Sequence, residues 1–411
     1  MRNEARLNTP ESFKTRASKS TNGKLPRARW SFVRCLERGP FRTSLTWIVK
    51  SAFVLSALCL WVLVCTASSA EGDEIEKGKY QEAISIAEKA VEMAERAWGQ
   101  EPVTADALDD LAVLFQKIGE YTKAEPLCQQ ALQIRQKALG PEHPDTASSL
   151  NNLALLYWTM GEYAKAEPLL QEAVRIRQKV LGSEHPDTAQ SLCSLASLYR
   201  VMSEYAKAEP LFQEAIRIQQ KVLGPEHPDT ASSLNNLAVL YRATGEYVKA
   251  ELLFQEALRI RQKVLGSEHF LTANSLNELA ALYEVMGEYA KAEPLFQKAL
   301  RIQQKVLGPE HPETATILNN LGELYRAMGE YAKAEPLYQQ ALRIQQKVRP
   351  EDPATAFSLN NLGVLYRDMG EYAKAVPLFQ EALRIQKESL IQDFKRNLDG
   401  KGYTAELQFC P

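Results

Sequence analysis

The sequence predicts an all-α fold, a solenoid of stacked helix–turn–helix units. Three observations carry this. From Thr104 the chain writes one unit of about 42 residues seven times, beginning at Thr104, Thr146, Thr188, Thr230, Thr272, Thr314 and Thr355. Inside each unit, apolar residues recur at i, i+3, i+4, i+7, the spacing of one helix face. Glycine and proline return at fixed places between those runs, as they do between helices. A chain of 411 residues would otherwise suggest two or three domains; a period of this length means an array instead.

The elements follow in order. Residues 1–44 are polar, basic and rich in breakers ("TRASKSTNGKLPRARW") and read as a disordered arm. Residues 45–70 contain an uncharged apolar run, "SAFVLSALCLWVLVCTASSA" from Ser51. Its apolar centre, Ala52 to Cys65, suits a secretory signal, with Ser68 and Ala70 as small residues at the cleavage spacing. Extended back through "TWIV", it also suits an uncleaved anchor that engages the membrane. Either reading leaves the preceding Lys and Arg in the cytoplasm and exports the body, to a periplasmic, extracellular or membrane-anchored location. The long basic arm also permits a mis-assigned start codon, and the alternative location is the cytoplasm. Residues 71–103 hold a divergent half unit, residues 104–390 the seven whole units, and residues 391–411 a polar tail.

The second unit, Thr146 to Asp187, serves as the sample. Its first predicted helix aligns Leu150, Leu153, Ala154 and Tyr157 on one face and ends at Gly161. Its second aligns Tyr163, Ala166, Leu170, Ala173 and Val174, with Ile176 and Val180 extending the apolar face, and closes at Gly182. Pro168 predicts a slight kink or a late start. Asp187 or Thr188 is the expected cap of the next helix, and Glu172 with Arg175 an outer ion pair. One pair of helices cannot bury apolar residues on several faces, so the units must stack.

Leu153, Ala154, Tyr157, Gly161, Tyr163, Ala166, Leu170 and Ala173 resemble the tetratricopeptide repeat. The segments "LNNLA", "GEYAKAE", "ALRI", "KVLG" and "EHPDTA" are similar to the 42-residue repeats of kinesin light chains. The likeness covers residues 104–390, with the half unit from residue 78. It implies a right-handed superhelix with a concave groove lined by the first helix of each unit. The chain departs from kinesin light chains in its apolar export-like segment and in lacking an N-terminal heptad region, so a role in motor transport is not expected.

All five histidines, His143, His185, His227, His269 and His311, sit in one recurring loop, "LGPEHPDTA" and its variants. Metal ligands must converge to about 2.0–2.3 Å from one ion, whereas stacked equivalents stand roughly 8–10 Å apart. Five copies on an edge give no pocket for general-base chemistry, and no phosphate loop or nucleophile elbow occurs. No cofactor, metal or catalytic residue is therefore expected, and the histidine ring is expected to pack into the joint between units. Six cysteines, including Cys128 and Cys193, follow no spacing rule for zinc or disulfides.

Charge divides unevenly. Residues 1–50 carry 12 basic and 3 acidic groups; the remainder carries 37 basic and 48 acidic. An acidic body does not bind nucleic acid through its overall field. The partner expected is a protein or peptide. Polar positions beside the apolar stripe of the first helices point to the groove: Asn152, Asn236, Asn320 and Asn361, replaced elsewhere by Asp110, Ser194 and Glu278. In domains of this kind that clamp peptides, an Asn at this place holds the ligand backbone, so the resemblance assigns that role to the four. Further along lie Trp158, Arg200, Arg242, Arg326 and Arg367, with Glu284 breaking the series. Arginine suits carboxylates, so the ligand expected is an extended, partly acidic peptide along units three to seven. In the competing reading the asparagines satisfy backbone groups between units. The leading function is a non-enzymatic interaction scaffold. The alternatives are a structural or self-associating solenoid, or an accessory or truncated partner of a signalling or protease-like enzyme. The sequence sets no oligomeric state.

Overall fold

The computed structural model describes residues 73–348 and 350–399. The predicted basic arm, the apolar segment 45–70 and residues 400–411 lie outside them. Among the described residues no helix is long and apolar enough to cross a membrane.

Among the described residues fifteen helices follow one another: α1 (Asp73–Trp98), α2 (Pro102–Lys117), α3 (Tyr121–Leu139), α4 (Pro144–Thr159), α5 (Tyr163–Leu181), α6 (Pro186–Val201), α7 (Tyr205–Val222), α8 (Pro228–Ala243), α9 (Tyr247–Val264), α10 (Phe270–Val285), α11 (Tyr289–Val306), α12 (Pro312–Ala327), α13 (Tyr331–Val348), α14 (Pro353–Asp368) and α15 (Tyr372–Asp399). Even-numbered helices are the first (A) helices of units one to seven, and odd-numbered ones the second (B) helices. The last helix continues past residue 391, where the tail was expected to begin.

The recurring loop builds the start of each A helix. The histidine, not Asp187 or Thr188, is the N-cap. His185 Nδ1 accepts from the Asp187 N–H at 3.1 Å, and His143, His227, His269 and His311 do the same two residues on. Proline then fills the first helical position, where a missing N–H costs nothing. In the seventh unit Asp352 takes over, its Oδ1 accepting from the Ala354 N–H at 2.9 Å. The imidazole is thus spent on backbone at the helix start, with its side chain still 38% exposed at His185, rather than packed into the joint. The following threonine is the buried member: Thr188 is wholly buried and donates to the Gly182 carbonyl at 2.9 Å.

A-helix ends are equally specific. Gly161 adopts φ +76°. Its N–H donates to the Trp158 carbonyl at 2.9 Å and the Glu162 N–H to the Tyr157 carbonyl at 2.8 Å, the paired bonds of a Schellman turn. In unit three Ser203 stands at this position and is forced to φ 62°, a region that costs a side-chain-bearing residue about 1–2 kcal/mol. The B helix starts directly at Tyr163 and runs through Pro168, so the expected late start does not occur. The Glu172–Arg175 pair forms at 2.7 Å. Val180, expected on the apolar face, is 48% exposed; the core ends one turn earlier, at Ile176.

Packing is closest where side chains are smallest. Ala154, Ala166 and Ala173, with their equivalents in other units, are fully buried and let helices meet backbone to backbone. Units six and seven carry Gly322 and Gly363 in place of Ala154. A Cβ there would sit 3.0 Å from Tyr338 Cε1 or 2.9 Å from Phe379 Cε1. Each unit is tied to the next by one repeated triangle. Tyr199 Oη donates to Glu167 Oε1 at 2.9 Å and accepts from Gln171 Nε2 at 3.0 Å. Tyr157, Tyr241, Tyr283, Tyr325 and Tyr366 repeat it with their own Glu and Gln. On the outer surface Glu142 reaches forward to Arg175 at 3.2 Å and to Lys179, and its loop equivalents do likewise.

Neighbouring A helices bring their backbones within 8 Å; among the described residues no B helices of successive units do. The array therefore bends toward its A helices, which line the concave side.

Two substitutions test this account. His185→Ala should cost about 1 kcal/mol, the worth of one cap, while His185→Asp, imitating Asp352, should cost far less in chemical denaturation. Ser203→Gly should raise stability by about 1 kcal/mol through relief of the left-handed backbone.

The concave face as candidate binding site

The concave wall is built from A-helix residues that point away from the apolar stripe. Asn152, Asn236, Asn320 and Asn361 lie there half-buried, one per unit, while the asparagines preceding them, Asn151 and Asn319, turn inward and are buried. The column is joined from unit to unit. Asn152 faces the Asp109 carboxylate of the preceding unit, and Asn320 Nδ2 donates to Asn277 Oδ1 at 3.0 Å. Next to it, Asn319 Nδ2 donates to Ser358 Oγ at 2.9 Å. For Asn319 and Asn320 the partners are side chains of neighbouring units. Each amide at the wall has four hydrogen-bonding sites, so one internal bond leaves capacity for a ligand.

The arginine column is less open than its sequence suggested. Arg242 pairs with Glu278 at 2.9 Å and stands over the Phe254 ring. Arg326 donates to Asp368 at 2.6 Å and grips Glu323 through two nitrogens. Arg367 donates to Asp368 at 2.9 Å. These three are already neutralised by acids of their own or the adjacent unit. Arg200 differs. It makes no ion pair among the described residues, its Nε has no partner, and burial, opposed by Glu278, leaves its guanidinium less firmly charged than usual. Trp158, half-buried, holds the equivalent place one unit earlier. Of the four arginines in the column, Arg200 is the one left without an ion pair among the described residues, with Trp158 at the equivalent position of the preceding unit.

Several functional groups were invisible in the list of sequence candidates. Tyr338 replaces the phenylalanine of neighbouring units, and its ring lies against Gly322. Its hydroxyl then reaches Glu323 on the concave wall at 2.8 Å. The signal existed: unit six departs from its neighbours at Glu323 and Tyr338 together. At the other end, Asp106 and Asp109 receive Arg135 at 2.5 Å each. Asp110 keeps an open side to solvent, yet crowding by the wall and then the charges of Asp106 and Asp109 push it up to about 7, against the pull of Arg135. Glu284 is likewise pushed up to about 7, by burial and then Glu323, against Arg326 and Arg242. Two concave carboxylates thus change charge near neutrality.

Thiols take no part in this wall. Cys128 is buried, and Cys193 lies 2.9 Å from the Ser233 hydroxyl, both as free cysteines.

A family model for the tetratricopeptide repeat matches residues 103–179, 159–218, 187–263, 271–347 and 320–388. No match was found among curated proteins. Solved structures do match. A "putative kinesin light chain nearly identical TPR-like repeats" protein from Podosopora anserina is 34% identical over 51% of this chain and 99% of its own, with a TM-score of 0.43. BtubC (BKLC) from P. vanneervenii is 26% identical over 65% of this chain and 91% of its own, at 0.42. A Rap protein complexed with Competence and Sporulation Factor is 13% identical over 83% of this chain and 99% of its own, at 0.53.

The raised carboxylates give a pH prediction. A carboxyl whose folded pKa exceeds its unfolded value favours folding most at low pH and loses that advantage as pH rises through the folded value. Stability should therefore fall between about pH 4 and the values near 7 of Asp110 and Glu284. Asp110→Asn and Glu284→Gln should raise the melting temperature at pH 8 and leave it nearly unchanged at pH 4.

Proposed function

The chain belongs to the tetratricopeptide-repeat family, and on that premise we propose that it is a non-enzymatic scaffold whose concave face holds an extended peptide. The observation that carries the reading is the column of half-buried amides, Asn152, Asn236, Asn320 and Asn361, one per unit along the inner wall. An extended chain repeats its donors and acceptors at regular intervals, and amides serve both. The recognition of acid narrows to one place. With Arg242, Arg326 and Arg367 engaged internally, a ligand carboxylate meets Arg200, beside Trp158. Over units five to seven, Glu278, Glu284, Glu323 and Asp368 balance the arginines, so polar or basic ligand residues suit that stretch. The site of action in this proposal is outside the cytoplasm, delivered by the Ser51–Ala70 segment. N-terminal sequencing that finds Glu71 first supports a cleaved signal; an intact Met1 on protein recovered from cytosol refutes export.

Binding is tested with an immobilised library of ten-residue peptides in which one glutamate is moved along a polar background. Asn236→Ala with Asn320→Ala should weaken capture roughly fivefold for each bond lost, at about 1 kcal/mol apiece, with helicity unchanged. Arg200→Glu should cost at least about tenfold for glutamate-bearing peptides, whereas Arg367→Glu should change their capture little. Equal capture by all variants and wild type would defeat the groove reading.

A further inference from the structure

Helices α1 and α13 are separated by six units of sequence, yet their backbones approach within 8 Å. Nothing in the nearest-neighbour logic of a repeat array requires this. The loop that leads into α12 carries the mark of the same approach. Its pentapeptide "GPEHP", Gly308 to Pro312, is identical to Gly140 to Pro144. Gly308 is nonetheless buried, while Gly140, Gly182, Gly224 and Gly266 are half-buried. The bond from the Thr314 hydroxyl to the Gly308 carbonyl is buried, while its counterparts from Thr146, Thr188, Thr230 and Thr272 are only partly so. An identical local sequence cannot produce that difference; a neighbour from elsewhere in the chain can.

The neighbour is identified by charge. His311 sits below the ordinary histidine value of 6.5, first through burial and then through the Lys117 ammonium at the C-terminal end of α2. His269 is also lowered, but by burial and Arg261 of its own joint, with Phe270 stacked at 4.7 Å. Around His311 the charged groups are Lys117 from α2, Lys347 from α13, which holds Glu310 at 3.4 Å, and the loop's own Glu310 and Glu313.

We infer that the array closes its first superhelical turn on itself, with α1 and the end of α2 acting as a latch against the 307–311 loop and α13. A face walled in this way admits an unfolded chain end-on and excludes a folded partner approaching broadside. That consequence deepens the groove reading and rests on it; the closure itself does not.

Two measurements on the full chain test the closure without any peptide. Amine cross-linking of a mixture of heavy-isotope and light-isotope protein should join Lys117 to Lys347 within single chains. Absence of that link while Lys179 and Lys221 of adjacent units are joined would overturn the inference, as would heavy–light pairs in place of intramolecular ones. Histidine ring resonances, assigned by single His→Asn variants, should show His311 titrating below the ordinary histidine value of 6.5, and Lys117→Glu should move His311 alone to higher pH. Titration of His311 at or above 6.5, or no response to Lys117→Glu, would refute a latch at this place.

Discussion

The structure depends on one constraint: no helix pair in it can bury its own apolar sides. Every unit must lean on the next, and the joint is therefore the element the sequence protects most closely. Alanines at the points of closest approach set the distance between helices. The Tyr–Glu–Gln triangle then fixes register across the joint, because a phenol held by a carboxylate and an amide has a direction as well as a depth. The two ends of the array obey the same rule in reverse. At the first joint Ile84 stands where the glutamate would be and Phe115 where the tyrosine would be, both buried. Donor and acceptor have been removed together, which avoids an orphaned polar group. In the last B helix Val376 replaces the glutamate and is 51% exposed.

Much of this was legible in the sequence. The 42-residue period, the glycine at each A-helix end and the Leu150, Leu153, Ala154, Tyr157 stripe predicted the helices and the core, because local propensity and packing agree there. Three things were not legible. Capping by His185 was misassigned to Asp187 or Thr188, since a ring nitrogen accepting a backbone N–H leaves no mark in composition. Val180 was placed in the core by periodicity alone, though the neighbouring unit does not extend that far. The arginines were read as open because their acids sit on another turn or another unit: Glu278 is 36 residues from Arg242, and Asp368 is 42 from Arg326.

A better signal for the concave face is correlated departure from the repeat. Glu323 and Tyr338 depart together, the phenol meeting the carboxylate while its ring lies against Gly322. Asp106 and Asp109 depart together and form an acidic corner around Arg135. Where the units are uniform they build the scaffold; where two positions change in concert they adjust its inner surface. Arg200 follows the repeat, and what sets it apart from Arg242, Arg326 and Arg367 is that no acid pairs with it among the described residues.

The approach of α1 to α13 has a mechanical consequence. In an open array each joint flexes independently, and small rotations accumulate along the length. Tying the first helix to the thirteenth turns units one to six into a closed linkage, in which widening at one joint must be matched by narrowing at another. The coil is then stiff against uncoiling but free to redistribute its bend, so strain introduced at one rung is felt at a distant one.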